Sequence, residues 1–197
     1  MWYEVNRWKF IEQAVPRKYK CGYCESIVQS TIGLMKADTL AESPTFHWIF
    51  VCPGCERPTY FDSADGQHPA PLPGSSVEHV PDDTAALFEE ARRAITVGAH
   101  TAAVMICRKI LMHVAVEKGA DKNKNFVYYV NYLDEKRYIT PDSRPWIDMI
   151  REVANEATHE ILIINSESAN MIITFTDMLL RLVYEFPARV RRSSSVA

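Results

Sequence analysis

Four of the five cysteines fall into two Cys-x-x-Cys pairs, Cys21/Cys24 and Cys52/Cys55, with twenty-seven residues between the pairs. No other feature limits the fold of this chain as much. Each pair turns the backbone so that two thiolates point at one centre. A strand pair between the two turns brings them together as a tetrahedral four-sulfur site. Zn²⁺ suits such a donor set, because it needs no redox partner and the closed set leaves no open coordination position. The expected cofactor is therefore structural zinc held by Cys21, Cys24, Cys52 and Cys55. Gly22 and Gly54 lie inside the turns, where positive φ and close backbone approach cost least. A redox role for either pair is the weaker competitor. Cys107 stands apart and reads as a small buried hydrophobe.

The surroundings of the knuckles narrow the reading. Hydrophobic residues at 47% and charged residues at 24% match a soluble globular protein and exclude a largely disordered one. A formal charge of -3 gives no global pull toward phosphate, so nucleic-acid contact would need a local patch. The best candidate membrane span is broken by Asp177 and Arg181, and the start, Met1 to Val5, lacks the layout of a signal peptide. The expected location is the cytoplasm, where reducing conditions disfavour structural disulfides and favour metal ligation by the paired cysteines. Arg17, Lys18 and Lys20 read as a solvated basic turn before a phosphate contact. Trp2, Trp8 and Phe10 read as packing, and His47, His68 and His79 have no partner at ligand spacing.

The chain changes character near residue 62. Strands are expected at Ile27–Leu34, Phe46–Val51 and Pro58–Phe61, in a segment too small to fold without a staple. Residues 62–82 carry Pro69, Pro71, Pro73, Gly74 and Pro81 and read as an extended linker. Helical periodicity then runs almost to the end. The expected organisation is a zinc ribbon over 1–61, a linker over 62–82, a helical bundle over 83–192 and a tail over 193–197. The expected fold class is mainly α, an antiparallel helical bundle preceded by a small β zinc ribbon.

Five helices are readable. Asp83 caps the first, with Phe88, Ala91 and Ile95 inward and Gly98 as its stop. Thr101 caps the second, with Val104, Cys107, Leu111 and Val114 on one stripe and Gly119 beyond it. The third spans about Lys122–Glu135, with Phe126, Tyr129, Val130 and Leu133 inward. Tyr128, Tyr129 and Tyr132 read as packing. The fourth follows Pro141 or Pro145 and buries Trp146, Met149, Ile150 and Val153. The fifth starts near Ser166 and packs Ile172, Phe175, Leu179, Leu182 and Phe186. Arg189, Arg191 and Arg192 close the chain as a basic, frayed tail.

On the fourth helix Arg151, Asn155 and His159 recur every four residues, drifting only about 80° in total, opposite the apolar stripe. A histidine beside an arginine and an amide is a candidate phosphodiester site. An ordinary solvated face is the preferred reading from spacing alone.

The stretches Phe88–Ala91, Ala102–Leu111, Arg151–His159 and Val183–Pro187 resemble the bacterial domain-of-unknown-function family four-one-four-five, whose helical fold is similar to the HEPN superfamily. A preceding zinc ribbon and a proline-rich connector also fit members of that family. HEPN nucleases resemble one another in an arginine, a polar residue and a histidine, set side by side by two protomers. There the histidine assists 2′-hydroxyl attack and the arginine stabilises the developing charge without a catalytic metal. Carried over, Asn155 and His159 match the polar residue and the histidine. Ala154 stands just before Asn155 where the pattern has arginine, and Arg151 lies one turn earlier. Arg108/His113 and Arg93/His100 also fit the arginine-to-histidine spacing, the first pair reading as a buried anchor and the second as exposed surface. The resemblance thus implies a HEPN-like bundle, a homodimer with a shared cleft and a nucleic-acid-linked role in bacterial stress or phage defence. A non-catalytic interaction or regulatory module with an RNA or protein partner is preferred. The alternative is a metal-independent endoribonuclease using Arg151, Asn155 and His159.

Overall fold

The computed structural model describes residues 8–38, 45–139, 148, 150 and 163–194. The chain divides into two compact units, Met1–Leu72 and Pro73–Ala197.

The first unit holds β1 (Trp8–Ile11), β2 (Arg17–Lys20), β3 (Ile27–Ser30), β4 (Gly33–Asp38), β5 (Thr45–Val51), β6 (Pro58–Phe61) and β7 (Gln67–His68). Five of them form one sheet in the order β1-β4-β5-β6-β7, with every pairing antiparallel, and β2 and β3 form a hairpin of their own. The expected mainly α class is thereby corrected: this is a mixed α/β fold. Three strands escaped sequence reading for physical reasons. β1 and β2 are four residues long, β1 is interrupted by Lys9 and β2 is Arg-Lys-Tyr-Lys with a single apolar side chain, and β7 is a two-residue pairing inside the proline-rich stretch. The single strand expected over Ile27–Leu34 breaks at Thr31 and Ile32, and its halves join different sheets.

Opposed residues of an antiparallel pair share a face. Pairing of Met35 with Trp48, Trp48 with Phe61 and Phe50 with Thr59 sets these on one side of the sheet. The β2–β3 hairpin covers that side, with Tyr19 edge-on to Phe61 at 5.3 Å. Ala14, Tyr19, Cys21, Phe50, Cys52 and Phe61 form the buried core. Two of these side chains are cysteines of the knuckles. At about 1.5–3 kcal/mol per fully buried large apolar side chain, so few offset little of the ordering entropy of this unit.

The second unit holds α1 (Asp82–Thr96), α2 (His100–Glu117), α3 (Phe126–Glu135), α4 (Ser166–Leu180), a π-helical turn at Arg181–Glu185, and α5 (Phe186–Ser194). Helix α1 starts one residue before the expected cap Asp83, with Pro81 at the N-cap and two aspartates in the first turn. Asn125 and Asn165 cap α3 and α4, accepting from the N–H of Tyr128 at 2.9 Å and of Ser168 at 2.8 Å. Gly98 and Gly119 follow α1 and α2 at φ of 75° and 103°, a region only glycine enters without strain. The expected inward stripes of α2 and α3 are all buried, as is Ile150. The rest of the expected fourth helix, Asp148 excepted, lies outside the described residues.

The last helix departs from its expected face. Ile172, Phe175 and Leu179 are buried, yet Phe186 is 47% exposed and Leu182 only half-buried, while Val183 and Tyr184 point inward. The π turn has more residues per turn than an α-helix and shifts the apolar face out of the 3.6-residue period.

Residues 73–80 lie against this unit. Arg92, fully buried, donates through Nε to the Pro73 carbonyl at 2.8 Å and pairs with Glu89 at 2.6 Å. Arg181 donates to Ser75 Oγ at 2.7 Å and pairs with Asp177 and with the buried Glu185. Val77 and Val80 pack on the helical core.

Candidate metal centre

The two knuckles are built alike on two hairpins. In the first, between β2 and β3, the Cys21 N–H donates to the Ser26 carbonyl at 2.9 Å and the Glu25 N–H to the Cys21 carbonyl at 3.0 Å. In the second, between β5 and β6, Cys52 N–H donates to Arg57 and Glu56 N–H to Cys52, at 3.0 and 2.8 Å. The positive φ that each turn requires falls on Glu25 at 59° and Glu56 at 60°, not on the glycines expected to carry it. Gly22 serves the other expected purpose, close approach: a Cβ there would lie 2.5 Å from the Pro69 carbonyl oxygen. Gly54 has no such constraint, since its Cβ would meet the Cys52 and Cys24 sulfurs at ordinary contact distances of 3.8 and 3.9 Å.

The four thiols converge. Cys21 and Cys55 Sγ are 3.8 Å apart, as are Cys24 and Cys52 Sγ, and all four lie within 4.8 Å of one another. A tetrahedron with metal–sulfur bonds of about 2.3 Å has edges of about 3.8 Å, so the cluster has the dimensions of a four-sulfur metal site. Cys21 and Cys52 are fully buried and Cys24 faces outward. Hydrogen bonds from the Ser26 backbone and hydroxyl hold Cys24 down at about 6. Cys55 is pushed up to about 12: the Arg57 backbone favours its thiolate, but burial and the other three cysteines outweigh that. Burial likewise raises Cys21.

Arg17, Lys20 and Arg57, beside the knuckles, are engaged within the unit. Arg17 lies 3.7 Å from the Phe61 ring centroid and pairs with Asp65 at 2.6 Å, Lys20 pairs with Glu25 at 3.3 Å, and Lys18 is exposed. Arg57 lies over the Tyr23 ring at 5.2 Å, linking the flanks of the two knuckles. His47 contacts the Tyr60 hydroxyl at 2.7 Å and His68 contacts Asp62 at 3.0 Å.

Arg151, Asn155 and His159 lie outside the described residues. Of the other two arginine–histidine pairs, Arg108 is half-buried over the Phe126 ring at 4.8 Å while His113 is exposed, and Arg93 is exposed while His100 is half-buried. Cys107 is fully buried, and burial pushes its thiol up to about 12, as befits an inert core residue. Sequence reading missed the charged cluster of buried Arg92 and Glu185 with half-buried Asp177 and Arg181. The only trace of it is the four-residue spacing of Asp177, Arg181 and Glu185 along one helix.

A β unit with a four-cysteine cluster, followed by a helical unit, defines a two-part protein whose first part brings four thiols together at its knuckles. The chain belongs to the family described as "Domain of unknown function (DUF4145)", whose family model matches residues 89–195. No curated protein and no solved structure matches the chain. Among the described residues no helix is long and apolar enough to cross a membrane.

Proposed function

We propose that this chain is a non-catalytic binding and regulatory module, in which structural zinc holds the β unit folded and a HEPN-like helical unit forms the second half. Four thiols closing on one centre carry this reading, because such a donor set keeps no position open for a substrate. Zinc is favoured by the all-sulfur, tetrahedral dimensions and by its lack of redox chemistry. Cys21, Cys24, Cys52 and Cys55 would hold the ion, which cross-links the two hairpins. The family resemblance supports a role in bacterial stress or phage defence, as a homodimer with an RNA or protein partner.

The test is the metal content of the purified chain by native mass spectrometry, with total RNA incubated beside it. One zinc per chain and intact RNA are expected. Cleavage that disappears in His159→Ala would overturn the non-catalytic reading, and a folded chain that never takes up zinc would overturn the staple.

A further inference from the structure

Residues 73–80 cross the helical unit as a strap with polar latches and an apolar underside. Arg92 donates to the Pro73 and Gly74 carbonyls at 2.8 and 3.3 Å. Arg181 donates to the Ser75 hydroxyl and the Ser76 carbonyl at 2.7 and 3.2 Å, and Glu185 accepts from the Glu78 N–H at 3.3 Å. Beside these latches Val77 and Val80 pack on the helical core. They do not fill the space between the strap, α1 and α4. A cavity of about 190 Å³ remains there, walled by Val77, Val80, Ala85, Phe88 and Leu180, with Ser76 and Glu89 as its polar lining residues. Phe88 and Leu180 are fully buried core side chains, so the floor of the cavity is fixed by packing.

We infer that this cavity binds a small, neutral, largely apolar molecule with one hydrogen-bond donor, of the size of a phenol. Volume, lining and charge each narrow the class. An apolar cavity of about 150 Å³ is enough to take up benzene. The space under the strap therefore matches one substituted ring and is too small for a nucleotide or a peptide. Its walls are aliphatic and aromatic apart from Ser76 and Glu89. Such a lining disfavours an ion or a sugar, which needs several polar partners once buried. Glu89 supplies the acceptor: its Oε1 takes the Arg92 guanidinium at 2.6 Å, and its Oε2 is left for an N–H or O–H of the ligand. Arg92 already balances that carboxylate, so a neutral donor suits the site better than a cation, whose desolvation would go uncompensated. The occupant would meet Val77 and Val80 from below and hold the strap down. This site belongs to the helical unit, goes beyond the binding-module reading above and does not depend on zinc.

The experiment is a titration of the full chain with phenol and with its isostere toluene, followed by methyl NMR. Phenol should shift the methyl signals of Val77, Val80, Ala85 and Leu180 saturably, with a dissociation constant of about 1 mM or tighter. Toluene should bind the same methyls about two- to tenfold more weakly, because it leaves the Glu89 acceptor unmet. Ala85→Leu, which puts a larger side chain into the cavity, should abolish the shifts while melting no lower than the parent. Val80→Ile adds a single methylene and should weaken phenol roughly three- to tenfold, which keeps the test open if Ala85→Leu folds poorly. The inference is overturned if no saturable shift appears up to about 10 mM phenol, if the shifts fall on methyls elsewhere in the chain, or if both variants bind phenol as the parent does. Toluene binding as tightly as phenol would remove the donor from the ligand class assigned here. Metal content is measured on the same samples. A zinc-loaded chain that ignores phenol sinks this inference and leaves the zinc-stapled module standing, and a chain without zinc sinks that module whatever phenol does.

Discussion

Cys24 and Cys52 are twenty-eight positions apart in the chain, yet their sulfurs stand 3.8 Å from each other. Strand pairing alone does not force this approach, because the two cysteines close different hairpins in different sheets. The contact therefore ties the β2–β3 hairpin to the five-stranded sheet at the one place where a metal would join them.

Removal of that tie should unfold the first unit selectively. Cys52→Ser takes a buried ligand out of a site whose metal is worth on the order of 10–16 kcal/mol in small zinc domains, more than a core this small can replace. Limited proteolysis should cut within residues 8–72 and spare the helical unit. Acid should act in the same direction, since thiolate ligands must lose their protons to bind, so zinc release should rise as pH falls.

The two knuckle glycines should respond differently to the same substitution. Gly22→Ala drives a Cβ into the Pro69 and Ala70 carbonyls, at 2.5 and 2.7 Å, and should lower thermal stability and zinc retention by about 1–3 kcal/mol. Gly54→Ala meets only ordinary contacts and should stay within about 0.5 kcal/mol of the parent. Thermal melts with a zinc-chelator titration compare them directly.

Arg92→Ala should cost about 3–5 kcal/mol, measured by urea denaturation of the helical transition. Its guanidinium is fully buried and holds the Pro73 and Gly74 carbonyls as well as Glu89. Arg92→Lys keeps the charge but cannot reach three acceptors in that geometry, and should recover only part of the loss.

Glu117 links α2 to the π turn, accepting from the Tyr184 hydroxyl at 2.5 Å. Burial disfavours its charged form, but the Tyr184 hydrogen bond and Lys118 outweigh that and lower its pKa below the usual 4.5. A depressed carboxylate contributes stability above its unfolded pKa and loses it as pH falls through the folded one. Glu117→Gln should therefore flatten the loss of helical stability below about pH 4.5, and acid titrations followed by circular dichroism read the difference.

The sequence disclosed most where spacing carries geometry. Two Cys-x-x-Cys pairs specify a four-sulfur cluster whatever the intervening strands do, and the stripes of α2 and α3 follow a plain helical period. It disclosed least where structure depends on partners far along the chain. β1 and β7 exist because neighbouring strands offer hydrogen bonds, not because Trp8–Ile11 or Gln67–His68 carry strong patterns. The inward turn of Val183 and Tyr184 follows from a π turn that no residue type announces. The positive φ at Glu25 and Glu56 runs against residue preference and is set by the knuckle hydrogen bonds.

Native mass spectrometry of the chain before and after chelation, with proteolytic mapping of each sample, tests the central claim most directly. The account predicts one zinc per chain, and after its removal rapid cleavage confined to the first unit. A chain that carries no metal, or one whose first unit resists protease equally with and without zinc, would contradict it.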